Sequence, residues 1–101
     1  MAKIIDITDK VTLNPEKPKI YIGDTVIEVN SDAVSVLKMY GVIDNKNFKA
    51  TDFTRICDLL FSEEDTEKLM KLNLSFDDYK TVIEAAVELV SGSVKDDGEK
   101  N

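Results

Sequence analysis

Two hydrophobic periods divide this chain. Up to Val29 apolar residues recur at alternate positions and many are β-branched, whereas from Ser31 onward they recur three and four apart. Ile5, Ile7, Val11 and Leu13 sit among polar neighbours, which predicts a strand over residues 4–11. Pro15 and Pro18 bracket Glu16 and Lys17 and predict a loop, since proline fixes φ and has no N–H for a ladder. Lys19–Ile22 and residues 25–29 then flank Gly23-Asp24. Two β-prone runs joined by two residues predict a hairpin, because glycine reaches the positive φ its turn needs at the first central position. One face of that hairpin carries Ile20, Ile22 and some of Val26, Ile27 and Val29 toward the helices.

The helical half is punctuated by caps. Asn30-Ser31-Asp32 offers N-cap oxygens before Ala33, Val34, Leu37 and Tyr40, so a short helix is expected over residues 32–40, stopped by Gly41. The polar residues 42–47 read as a turn. A second helix starts near Phe48 or Thr51, with Phe53, Ile56, Cys57 and Leu60 on one face. Ser62, followed by Glu63, Glu64 and Asp65, caps a third helix over Glu63–Lys71. Ser75 with Asp77 and Asp78 launches the clearest one, Phe76–Ser91, closed by Gly92. Its stripe is Phe76, Tyr79, Val82, Ile83, Ala86, Val87 and Val90, with Glu84 and Glu88 off it. The expected architecture is α+β: a small N-terminal antiparallel β-hairpin or three-stranded sheet followed by about four short helices. It forms a single domain over residues 1–92. Residues 93–101 carry charges, Gly98 and only Val94 as an apolar side chain, which predicts a disordered acidic C-terminal tail.

Composition narrows the chemistry. In 101 residues there are 20 acids against 13 bases, a net charge of −7, no His, no Trp and one Cys. His-based triads, His-ligated zinc and an internal disulfide are thereby excluded. An acidic surface repels phosphate backbones and anionic lipid, so neither nucleic acid nor membrane is an expected partner. The start, Met1-Ala2-Lys3-Ile4-Ile5-Asp6, lacks the apolar core of a secretory signal, and a cytoplasmic protein is expected. Cys57 lies beside Asp58 with no basic neighbour to lower its pKa, so it reads as a buried structural thiol.

Candidate catalytic and metal constellations fail one by one. Asp77 with Asp78, and Glu63, Glu64, Asp65 and Glu67, suit the positive ends of two helices better than a paired-acid cleft. Asp44-Asn45-Lys46-Asn47 has the oxygen-rich look of a calcium loop. An EF-hand would need Gly and Glu where Lys49 and Arg55 stand. The four glycines are not spaced as a phosphate-cradling loop. No catalytic, cofactor-binding or metal-ligating residue is therefore assigned, and no enzyme is expected. The stripe of the last helix has two readings: a core face, or an interface for a partner helix or a second copy.

Residues 64–90 read EDTEKLMKLNLSFDDYKTVIEAAVELV. The run from Glu67 to Asp78, then Val82 to Leu89, resembles the small tail assembly chaperones of long-tailed phages and prophages of Gram-positive bacteria. The β-rich start and charged C-terminal end are similar too. That resemblance implies a non-enzymatic part in tail morphogenesis. Such proteins bind the long helical tape measure protein, help recruit tail tube subunits, and are absent from the mature virion. It also implies a longer product made by frameshifting near the C-terminus in several relatives. No ligand residues transfer with it. The partner-binding candidates remain Phe76, Tyr79, Val82, Ile83, Ala86, Val87 and Val90. The competing readings are an acidic inhibitor or DNA mimic that occupies a nucleic-acid-binding protein, and a minor structural tail protein.

Overall fold

The hairpin forms where the Gly-Asp turn puts it. In a computed structural model, which describes residues 2–92, β1 (Lys19–Ile22) and β2 (Thr25–Glu28) pair antiparallel, with Ile22 opposite Thr25 and Ile20 opposite Ile27. Gly23 takes φ +59°, a value that a side chain would strain, and the turn closes without a bulge. Four helices follow: α1 (Ala33–Ile43), α2 (Asp52–Leu60), α3 (Glu63–Lys71) and α4 (Phe76–Ser91). The molecule is an α+β domain with one two-stranded sheet.

The strand expected over residues 4–11 is not there. Those residues hold a single 3-10 turn, Thr8–Lys10, and every residue from 2 to 17 is exposed. The cause is local. The Asp6 carboxylate accepts from the Thr8 N–H at 2.9 Å and from its hydroxyl, and the Lys10 N–H reaches Ile7 C=O at 2.8 Å. A short polar side chain that hydrogen-bonds its own backbone offers an alternative to a ladder. The sheet is therefore a hairpin rather than three strands. The expected tail, residues 93–101, lies outside the described residues.

Serine and aspartate caps set the helix starts. Asp32 accepts from Ser35 N–H at 3.0 Å, Ser62 from Asp65 N–H at 3.1 Å and Ser75 from Asp78 N–H at 3.2 Å. The second helix differs: Thr51 makes no side-chain cap, and the buried Asp52 instead reaches back to Lys49 N–H at 2.8 Å. α3 stops where Asn73 turns left-handed at φ +52°, and α4 stops at Gly92, φ +80°. Gly41 does not end α1 as expected. The helix runs on to Ile43 because Val42 and Ile43 pack against the core, which offsets the ~1 kcal/mol that glycine costs inside a helix.

The core lies between the hairpin and the helices. Ile27, Val29, Met39, Ile56, Cys57, Leu60, Phe61, Leu69, Val82, Ile83 and Ala86 are buried together. Two polar stitches register the hairpin on them. Asn30, just past β2, donates its N–H to Leu60 C=O at 2.6 Å and its side-chain amide to Leu59 C=O at 3.2 Å. On the outer edge of β2, the buried Asp65 of α3 accepts from Glu28 N–H at 3.3 Å and pairs with Lys68 at 3.4 Å. Lys68 in turn donates to Val26 C=O at 3.4 Å.

Asp65→Ala should therefore cost about 1–3 kcal/mol, since it strands a strand-edge amide beneath α3. Urea unfolding measures the loss, with faster hydrogen exchange at Glu28. An unchanged midpoint would mean that α3 docks without this bond.

Candidate functional site

A mainly apolar opening lies between α1, α2 and α4. It is a groove of about 350 Å³ floored by Ile43, Phe53, Ile56, Ile83 and Val87, with Phe48 at one end and Glu84 and Glu88 on its rim. Each element contributes for a sequence reason. The Gly41-spanning last turn of α1 brings Ile43. The i, i+3 pair Phe53 and Ile56 comes from the apolar face of α2, and Ile83 and Val87 come from the stripe of α4. Its aromatic wall continues outward as a row of edge-on rings: Phe48 to Phe53 at 5.3 Å, then Phe53 to Phe76 at 6.1 Å.

The charges on this surface are unbalanced. Glu84 and Glu88 are exposed on successive turns of α4, and no cation pairs with either among the described residues. Lys80 stands four residues before Glu84, where a helix pair is expected, but its ammonium sits 5.3 Å over the Phe76 ring. The groove thus combines an apolar floor with two uncompensated carboxylates one turn apart.

The seven candidate partner-binding residues separate by depth. Val82, Ile83 and Ala86 are core residues, the last fully enclosed. Val87 joins Ile83 in lining the groove, and Val90 is half-buried against the core. Phe76 is half-exposed at the end of the aromatic row, and Tyr79 does not line the groove but stands against Cys57 and Thr54. Ile43, Phe48, Phe53, Ile56 and the two glutamates belong to the surface but not to the candidates. Ile43 was hidden by the expected stop at Gly41. The signal for the glutamates was their i, i+4 spacing on an apolar helix without a matching lysine in contact.

Behind α4 lies a second polar cluster. The buried Cys57 Sγ is 3.9 Å from Thr66 Oγ1, and Tyr79 stands against Cys57 and Thr54. Burial pushes the Cys57 thiol above its ordinary value, outweighing its hydrogen bonds, and burial beside that thiol pushes Tyr79 well above the phenol range. Neither group is a poised nucleophile. Among the described residues no three His, Cys, Asp or Glu side chains converge to hold a metal, and no helix is long and apolar enough to cross a membrane. Comparison with protein-family models, with curated proteins and with solved structures gives no match.

Both raised groups hold their protons more tightly folded than unfolded. Their contribution to stability is complete below the ordinary thiol value of 9.0 and is lost as pH rises toward the raised folded values. Urea midpoints measured from about pH 8 to about pH 10.5 should fall. The fall should be shallower in Cys57→Ala and in Tyr79→Phe. An equal slope in all three proteins would remove the cluster as its cause.

Proposed function

We propose that this chain is a non-catalytic assembly chaperone of the phage tail type, which holds helical segments of a tape measure protein in the groove between α1, α2 and α4. The observation that carries the reading is the groove itself: an apolar floor of Ile43, Phe53, Ile56, Ile83 and Val87 beside the unpaired Glu84 and Glu88. An amphipathic helix laid in a groove buries anchors at i, i+3 and i+4, and a lysine or arginine one turn along would meet the glutamates. The resemblance over residues 64–90, which spans α3 and α4, supports the same role, including recruitment of tail tube subunits. The site of action is the host cytoplasm, and the chaperone does not remain in the virion.

The net charge of −7 supports a second reading, an acidic inhibitor that covers a basic nucleic-acid-binding surface. The two differ in what holds the complex: apolar burial survives added salt, whereas charge pairing across exposed surfaces is screened.

Co-expression of the full chain with fragments of a tape measure protein should keep those fragments soluble and bring them through purification together. Glu84→Lys with Glu88→Lys should weaken that capture about tenfold, equivalent to about 1.4 kcal/mol, and leave the fold intact because both side chains are exposed. No gain in fragment solubility with the unaltered chain would refute the chaperone reading.

A further inference from the structure

The sheet has one sealed edge and one open edge. Ile22 and Thr25 close the turn, so hydrogen-bonded pairs alternate from there through Ile20 and Ile27 to Pro18, whose C=O accepts from Val29 N–H at 2.9 Å. Val26 and Glu28 of β2 face outward and are taken by Lys68 and Asp65 of α3. Lys19 and Tyr21 of β1 face outward on the other side, and among the described residues nothing bonds to their backbone groups. An unpaired row of N–H and C=O groups is a template for another strand.

The chain also carries a strand without a sheet. Ile4, Ile5 and Leu13 are 87%, 84% and 72% exposed, and Ile7 and Val11 are about half exposed. In extended conformation Ile5, Ile7, Val11 and Leu13 share one side, interrupted by Asp9, while Asp6, Thr8, Lys10 and Thr12 share the other with Ile4 at its start. Against β1, the apolar side continues the row of Ile20 and Ile22, which form the half-buried margin of the core. The polar side then runs beside Lys19 and Tyr21, with Asp6 supplying charge opposite to Lys19. Pro15 and Pro18, with Asn14 at φ +54°, separate the arm from β1 and leave it unpaired with its own sheet.

We propose that residues 4–13 of one copy add as a third strand to β1 of a second copy, exchanged reciprocally into a two-fold dimer. The arm completes the sheet in trans that a single chain leaves incomplete. The Thr8–Lys10 turn opens on pairing. Its hydrogen bonds are solvent-exposed, so a ladder along the arm replaces them at little cost. This assembly is independent of the function proposed for the groove, which no residue of β1 or of the arm lines.

Light scattering on the full chain at about 100 µM, a concentration that populates even weak pairing, should give twice the 11.3 kDa chain mass. Ile5→Asp with Ile7→Asp should return the mass to one chain with unchanged circular dichroism, because both side chains are exposed in the monomer. Tyr21→Pro, which removes an outward N–H from an edge strand, should do the same. An equimolar mixture of the two variants should restore a dimer, since one keeps a competent edge and the other a competent arm. A single-chain mass for the unaltered protein, or a dimer that persists in both variants, overturns the proposal.

Discussion

A two-stranded hairpin cannot stand alone in water, because it presents one apolar face and two bare edges to solvent. Everything else in this fold answers to that constraint. The face is taken by α2 and α4, which set Leu60, Ile83 and Ala86 against Ile27 and Val29. The β2 edge is taken by α3, and the means are polar rather than apolar: one carboxylate and one ammonium, three residues apart, substitute for the missing strand. Asp65 therefore serves twice. Its backbone N–H is held by Ser62 to start α3, and its side chain fixes where the started helix docks. Helix initiation and sheet registration share a residue, so a fault in either propagates to the other.

The remaining helices close the core incompletely, and the groove follows from their lengths. α2 is a nine-residue helix and α4 a sixteen-residue one, so α4 outruns the element beneath it. α1 supplies the missing cover only because it passes through Gly41 and brings Val42 and Ile43 down onto the core. Where its last turn ends, Phe48 and Phe53 fill the gap edge to face and leave the apolar floor open. A small domain buries a limited share of its apolar surface, so an uncovered strip is where such a chain has surface to offer.

The helical half was legible because its signals are local and mutually consistent. Ser62 and Ser75 precede acids and then an apolar stripe, and Gly92 supplies a left-handed stop. The bounds of α3 and α4 are accordingly those the sequence predicts. The hairpin was legible for the same reason, through Gly23-Asp24. What failed were inferences in which a local signal met a tertiary one. Gly41 signals a stop, but burial of Ile43 outweighs it. The alternation over residues 4–11 signals a strand, but a strand is a relation between two segments, and residues 4–11 pair with none in the structure. The groove was half legible: the α4 stripe named Ile83 and Val87, yet no pattern along the chain tells which part of a stripe another helix covers. Glu84 and Glu88 lie off the stripe, and no pattern along the chain tells that Lys80 stacks on Phe76 instead of pairing with Glu84.

Charge bears on how this chain carries so much exposed apolar surface. The net −7 makes any two copies repel as their surfaces approach, which disfavours disordered hydrophobic association. That repulsion is screened beyond about 8 Å at physiological ionic strength, so it acts near contact and has to be outweighed by the contact that forms. The apolar positions that face solvent are also interrupted: Asp6 divides Ile5 from Ile7, Asp9 and Lys10 divide Ile7 from Val11, and Lys38 stands next to Leu37 on α1. Only a partner that satisfies a strand edge or fills the groove gains enough short-range energy to overcome the repulsion. Acidity and exposed hydrophobicity act together here, the one selecting for geometry what the other supplies in free energy.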